Sequence, residues 1–294
     1  MLTAFALGRW RPAPATRAQV VAAIPRWDCA CGPPGGVDPG MVASVKDKLG
    51  TEYNSAFFDD LSPGSRLSAA TVIPLVQKLT GPSSVLDVGC GVGTWLAEWE
   101  SCGVTDIFGI DGEYVAESAL QIAPEKFQPK DLRNPFSLGR RFDLVECLEV
   151  AEHLDEPYAD GFIESLTSHA DTILFSAAIP GQTGNHHVNE RWPSYWIPKF
   201  EKLGFRGFDV IRPRIWANRD IEVWYRQNVL LFSKVLTFEG AEDILDLVHP
   251  DLWEFGRNSV RWNLGNLRGS IRYNMQKGRP SAEHRANGRA NSLV

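Results

Sequence analysis

Apolar residues in this chain fall into short blocks divided by turn-formers, and the kind of block changes along the chain. Helix-compatible patterning begins after Met41, where Val72, Ile73, Leu75, Val76 and Leu79 recur at helical offsets until Gly81-Pro82 ends the run. The next block, Ser84 to Val88, is a compact run of strand-formers that breaks into Gly89, Gly91 and Gly93 and enters a helix near Thr94. From there the pattern predicts helix 94–100, strand 106–111, helix 113–122, strand 126–130, strand 142–147, helix 157–168 and strand 172–177. A helix over 196–203 and an apolar segment over 205–211 follow. Residues 223–232, VWYRQNVLLF, read as one long strand, with no helix-length segment before it, which fits a hairpin-like end to the sheet. Strands that are continuously apolar and alternate with helices belong to a parallel sheet covered on both faces.

Right-handed crossovers bring the carboxyl ends of such strands to one edge, where ligands of open α/β sheets sit. Asp87 to Gly93, Asp111, Asp131 and Cys147 to His153 all fall at those ends. The alternating glycines admit backbone angles closed to other residues, and the following helix turns unpaired N–H groups toward a ligand. Asp87 sets the sign of that ligand: its carboxylate repels a phosphate and attracts an ammonium or sulfonium. A dinucleotide fingerprint is excluded on spacing, because Thr94 stands where G-x-G-x-x-G needs glycine.

Bulk properties narrow the picture further. A chain of 294 residues can bury one good core with appendages. The expected division is a segment over 1–40, rich in proline and glycine and without sustained periodicity; a main domain over 41–235; an extension over 236–270 that packs back on it; and a basic tail over 271–294. Tyr53 and the Phe57-Phe58 pair are expected at the mouth of the site. The formal charge of −6 gives no overall footprint for nucleic acid, and no apolar run reaches the length of a membrane span. Nucleic acid is therefore not the expected partner. Five cysteines, with Cys90 and Cys147 in or beside core strands, read as thiols of a reducing compartment, so a cytoplasmic location is expected.

The run from Asp87 to Gly93, D-x-G-x-G-x-G, resembles motif I of the class I S-adenosylmethionine-dependent methyltransferases. That resemblance implies a Rossmann-like α/β fold: a mostly parallel seven-stranded sheet with an antiparallel last strand and helices on both faces. It also implies a cofactor site at Asp87, Gly89, Cys90, Gly91 and Gly93. Asp111, 24 positions after Asp87, would bond the ribose hydroxyls; its alternative is a turn aspartate ahead of Gly112. Asp131-Leu132 would lie at the adenine, unless Asp131 caps the turn at Arg133. Cys147 and Leu148 would lie near the methionine part.

Glu149, Glu152 and His153 stand in C-L-E-V-A-E-H-L, and a helix starting there would put all three on one face. The later GNHHVNERW adds His186 and His187, with His187 the preferred partner. Two carboxylates and two imidazoles suit Mg, Mn, Fe or Zn. E-x-x-E-H with a distant histidine resembles the metal site of the small-RNA 3′-terminal 2′-O-methyltransferases and of the ubiquinone-biosynthesis O-methyltransferases. Three readings of the cluster stand side by side: a divalent metal on Glu149, Glu152, His153 and His187; a metal-free catalytic site with His153 as base and Glu149 beside it; and a structural role. The leading function is O-methylation of a small-molecule or sugar hydroxyl. Its alternatives are metal-free N- or O-methylation, 2′-O-methylation of a nucleic-acid end, and a cofactor-binding interaction module without catalysis.

Overall fold

The computed structural model describes residues 55–255 except 242, with side chains from residue 63 onward. The segments expected over 1–40 and 271–294, and the side chains of Tyr53, Phe57 and Phe58, lie outside the described residues.

Helix α1 (Ser55–Thr80) leads into β1 (Ser84–Val88), the glycine turn and α2 (Thr94–Ser101). There follow β2 (Asp106–Asp111), β3 (Phe127–Pro129), β4 (Leu144–Leu148), α3 (Ala159–His169) and β5 (Thr172–Ser176). The described chain continues through α4 (Pro193–Lys202), β6 (Arg206–Phe208), α5 (Arg212–Ile215), α6 (Val223–Asn228) and β7 (Leu230–Ser233). The strands form one sheet of seven in the order β3-β2-β1-β4-β5-β7-β6, with β7 antiparallel to both its neighbours and the β1 to β5 pairings parallel. This is the sheet the sequence predicts. The order reverses between β1 and β4, so the crevice of the sheet opens where β1 and β4 end.

Each central strand is apolar at successive positions because both faces are covered. On β4, Leu144 joins one core with Val72, Ile73, Val76, Leu96 and Trp99, while its neighbour Val145 joins the other with Phe162, Ile163, Leu166, Trp196 and Phe200. Phe200 stacks on Phe232 at 4.0 Å between ring centroids, pinning α4 to β7. Truncation of such a buried ring to alanine costs about 3–5 kcal/mol.

Three local expectations are corrected. The helix expected over 113–122 is only a 3-10 turn at Glu117–Ala119. Its tertiary contacts hold the rest of that segment open: Gln121 N–H donates to Val92 O at 2.8 Å, and Ile122 packs beneath Gly93. The long strand expected over 223–232 is α6 followed by β7, with α5 also lying between β6 and β7. Its polar half is helical because Arg226, Gln227 and Asn228 are buried and meet partners from distant segments. Gln227 is bonded to Leu247 O and to His249 N–H, and Arg226 pairs with Asp251 at 2.9 Å. The third correction is at Glu149 to His153, where only Ala151–His153 forms a 3-10 turn and Glu149 itself takes a φ of 56°. Within the segment after β7, Leu252 packs on Ile179 and Val223, whereas Trp253 and Phe255 are exposed.

Candidate active site

The three glycines after β1 have φ of 84°, 53° and 81°, a region crowded for any residue with a Cβ. At Gly89 a Cβ would also come within 2.3 Å of Val150 Cγ2, so the turn and the end of β4 pack directly on each other. Gly89 N–H donates to Ile110 O at 2.8 Å and Gly91 N–H to Asp111 Oδ2 at 2.7 Å, fastening the turn to the end of β2. Asp111 Oδ1 accepts from Gly112 N–H and from the Tyr114 hydroxyl. Burial pushes the Asp111 carboxyl up, and those three donors oppose the rise. Asp87 is 4% exposed, and its carboxyl is raised well above the usual range by burial, then by Glu146 and Asp111.

Past the turn, at the end of β4, lies the acidic and histidine cluster. Glu152 is fully buried, and neither carboxylate oxygen has a hydrogen-bond partner among the described residues. One of its oxygens and one ring nitrogen each from His153 and His187 lie within 4.8 Å of one another. The histidine rings meet edge to face at 4.9 Å. His187 Nδ1 lies 2.9 Å from Glu190 Oε1, which makes Nδ1 the donor and leaves Nε2 as the ring's acceptor. Glu190 is itself anchored by the N–H groups of Gly181 and Thr183. The backbone closes over His187 at Gly184, where a Cβ would come 2.2 Å from Nε2. His153 Nδ1 lies 3.3 Å from His186 O. Burial, then the neighbouring His187, holds His153 down to about 4, so its imidazole is neutral near pH 7. The Glu152 carboxyl is pushed well up by burial and by Glu149, against the weaker pull of the main-chain N–H groups of Glu152 and Ala178.

Glu149 is not in that set of three. Its carboxylate accepts from Gln182 Nε2 at 2.7 Å and from Asn228 Nδ2 at 3.0 and 3.2 Å, while Asn228 Nδ2 also reaches Gln182 Oε1 at 2.9 Å. Its main-chain N–H donates to Ser176 at the end of β5. Burial raises the Glu149 carboxyl to about 7 against the pull of Asn228, Ser176 and Gln182. An imidazole pair, a buried bare carboxylate and a clamped second carboxylate thus meet at one strand end.

Residues 64–203, from α1 through the cluster to α4, match the family described as a methyltransferase domain. The matched stretch takes in the glycine turn, Asp111 and the cluster. Among solved structures, the chain is similar to magnesium protoporphyrin IX methyltransferase from Synechocystis PCC 6803 with bound SAH, at 21% identity over 64% of this chain and 97% of that one, TM-score 0.46. It is also similar to Streptomyces venezuelae DesVI, at 16% identity over 68% and 99%, TM-score 0.46. A third is the sugar N-methyltransferase KedS8 from a Streptoalloteichus species, at 15% identity over 72% and 98%, TM-score 0.44. No curated protein sequence matches.

Within the matched stretch the remaining predicted cofactor residues divide. Asp131 is exposed and occupied locally, accepting from Arg133 N–H at 3.1 Å and pairing with the Arg133 guanidinium at 2.7 Å, so it does cap the turn. Leu132 is half-buried against the second core. The Cys147 thiol is fully buried in that core and pushed up by burial, so position 147 can offer a ligand only main chain. Cys90 turns its sulfur under the turn toward Gly109, where a Cβ would sit 2.6 Å away. Trp196 and Tyr225 are core residues. Sequence reasoning missed Tyr114, Gln182, Asn228 and Glu190. Glu190 carries a local signal, three residues after His187, while Asn228 was hidden inside a presumed strand.

Proposed function

We propose that the domain methylates a hydroxyl of a small molecule or sugar, and that Glu152, His153 and His187 hold a divalent ion beside the acceptor. Glu152 carries this reading: a buried carboxylate with no side-chain donor costs several kcal/mol unless it is protonated or meets a cation, and two imidazoles converge on it. Glu190 behind His187 is the carboxylate partner that metal-ligating histidines commonly have. Two nitrogens and one oxygen favour Mn, Fe or Zn over Mg. Such an ion supplies Lewis acidity, which a hydroxyl needs because it is almost wholly protonated at pH 7. The chain's own residues do the rest. The glycine turn and Asp111 hold the cofactor at the sheet edge, and Glu149, clamped by Gln182 and Asn228, offers the acceptor a fixed hydrogen-bond partner. The acidic net charge disfavours a polyanionic acceptor.

A metal-free site with His153 as base is the alternative, and the same geometry speaks against it: an imidazole held near 4 is a weak proton acceptor. Dialysis against EDTA, elemental analysis and titration with Mn, Fe(II), Zn and Mg test the proposal, alongside methyl-transfer assays on a panel of sugars and phenols. One tightly bound ion per chain is expected, with turnover lost on chelation and restored on addition. Absence of any binding in the titrations would overturn it.

A further inference from the structure

Glu146 has no part in the chemistry described so far, yet it is the most unusual residue of the sheet. It sits in the middle of β4, fully buried, where the neighbouring positions are Leu144, Val145 and Cys147. Its register partner on β1 is Asp87, whose own partner on β2 is Gly109, so one row across the sheet reads Gly109, Asp87, Glu146. Residues opposite each other on adjacent strands present their side chains to the same face, about 4.8 Å apart. Asp111, two residues beyond Gly109, falls on that face as well. Above the row lies α2, whose Trp99 indole N–H donates to Glu146 Oε2 at 3.2 Å. Glu146 Oε1 is buried with no partner.

The groups that bear on the pair are all acidic: Asp111 from β2, the Cys90 thiol from the glycine turn and the Cys147 thiol from β4. Neither Asp87 nor Glu146 has an ion pair with a lysine, arginine or histidine among the described residues. Two ionised carboxylates side by side in a dry interior, with one indole donor between them, would cost several kcal/mol. Burial alone pushes Glu146 up to about 8 despite the Trp99 contact. The ligand-free floor of the site therefore holds a proton at neutral pH. Directly after Asp87 comes the turn that receives a cofactor carrying an ammonium and a sulfonium, and cations favour the ionised form of nearby acids.

We propose that Glu146 and Asp87 act as one proton-sharing carboxyl pair, which releases a proton to solvent as S-adenosylmethionine binds and so presents the cofactor with a fully ionised floor. Glu146 is on this view a positioning residue acting through Asp87. The inference needs the cofactor only, so it stands or falls separately from the metal and the acceptor.

The test is calorimetry of S-adenosylmethionine binding at pH 6.5 in phosphate and in imidazole, buffers of different ionisation heat. At that pH the cofactor's amino group, with an ordinary pKa of about 7.7–8.0, is already protonated. The wild-type heats should differ by the equivalent of about one released proton, and affinity should rise with pH by up to about tenfold per unit between pH 5.5 and 7.5. In Glu146→Gln, which keeps an acceptor for Trp99, both effects should disappear while binding persists. Equal wild-type heats in the two buffers would overturn the proposal without any variant. So would undiminished proton release in a folded Glu146→Gln, which would place the proton on Asp111 or on Asp87 alone.

Discussion

The end of the cleft proposed for the cofactor and the end proposed for the acceptor are built on opposite principles. At the cofactor end, Asp111 has its oxygens engaged by Gly91, Gly112 and Tyr114, and the turn glycines bond to β2 within a stretch of about two dozen residues. At the acceptor end, Glu152 keeps both oxygens buried with no side-chain donor among the described residues, and the groups around it come from three separate parts of the chain: the end of β4, the loop after β5, and α6. Asp111 is already satisfied within its own chain. The acceptor end holds polar groups whose cost is justified only by what they bind. That asymmetry gives a way to sort stability from function, since removing a bare buried carboxylate should relieve strain, whereas removing a partnered one should not.

Glu152→Gln should have the largest effect and separate the two ends most sharply. Metal affinity should fall at least about 100-fold and cofactor affinity should hold, while the metal-free melting temperature stays level or rises because a desolvated acid has been neutralised. A lower melting temperature with intact metal affinity would reverse the assignment. Glu190→Gln comes next. It leaves every direct ligand in place and loosens only His187, so metal affinity should drop by about ten- to a hundredfold, as read by competition with a chelating dye. At the cofactor end, Asp111→Asn should weaken S-adenosylmethionine binding by about tenfold, the worth of one charged hydrogen bond, without touching metal affinity. Loss of both affinities together would mean that the two ends are one cooperative unit.

The smallest effect concerns pH. The folded carboxyl of Glu146 lies near 8, well above its ordinary 4.5, so between those values the native state binds more protons than the unfolded state. Its contribution makes stability fall as pH rises through that window. Glu146→Gln deletes the contribution, and melting temperatures measured from pH 5 to 8 should decline less steeply than in wild type. An unchanged slope would remove Glu146 from the account.

The sequence by itself determined the parallel sheet, the strand that precedes the glycine turn, and the link from the turn to Asp111. These depend on contiguous patterning: apolar runs mark strands buried on both faces, and alternating glycines mark a turn that no other residue can make. It also marked Glu152, His153 and His187 through their chemistry, although the helix expected to gather them is only a single 3-10 turn. Tertiary structure alone decided how they meet. The loop after β5 folds back so that Val188 and Asn189 N–H groups both bond Glu152 O, which brings His187 to the cluster. Likewise, nothing local to VWYRQN distinguishes helix from strand, because its polar side chains are buried by partners more than a dozen residues away. The Asp87–Glu146 row depends on strand order, since two acids almost sixty positions apart become neighbours only when β4 is laid against β1. Local pattern fixes which backbone forms; the long-range packing of those elements fixes which charges must share a dry interior.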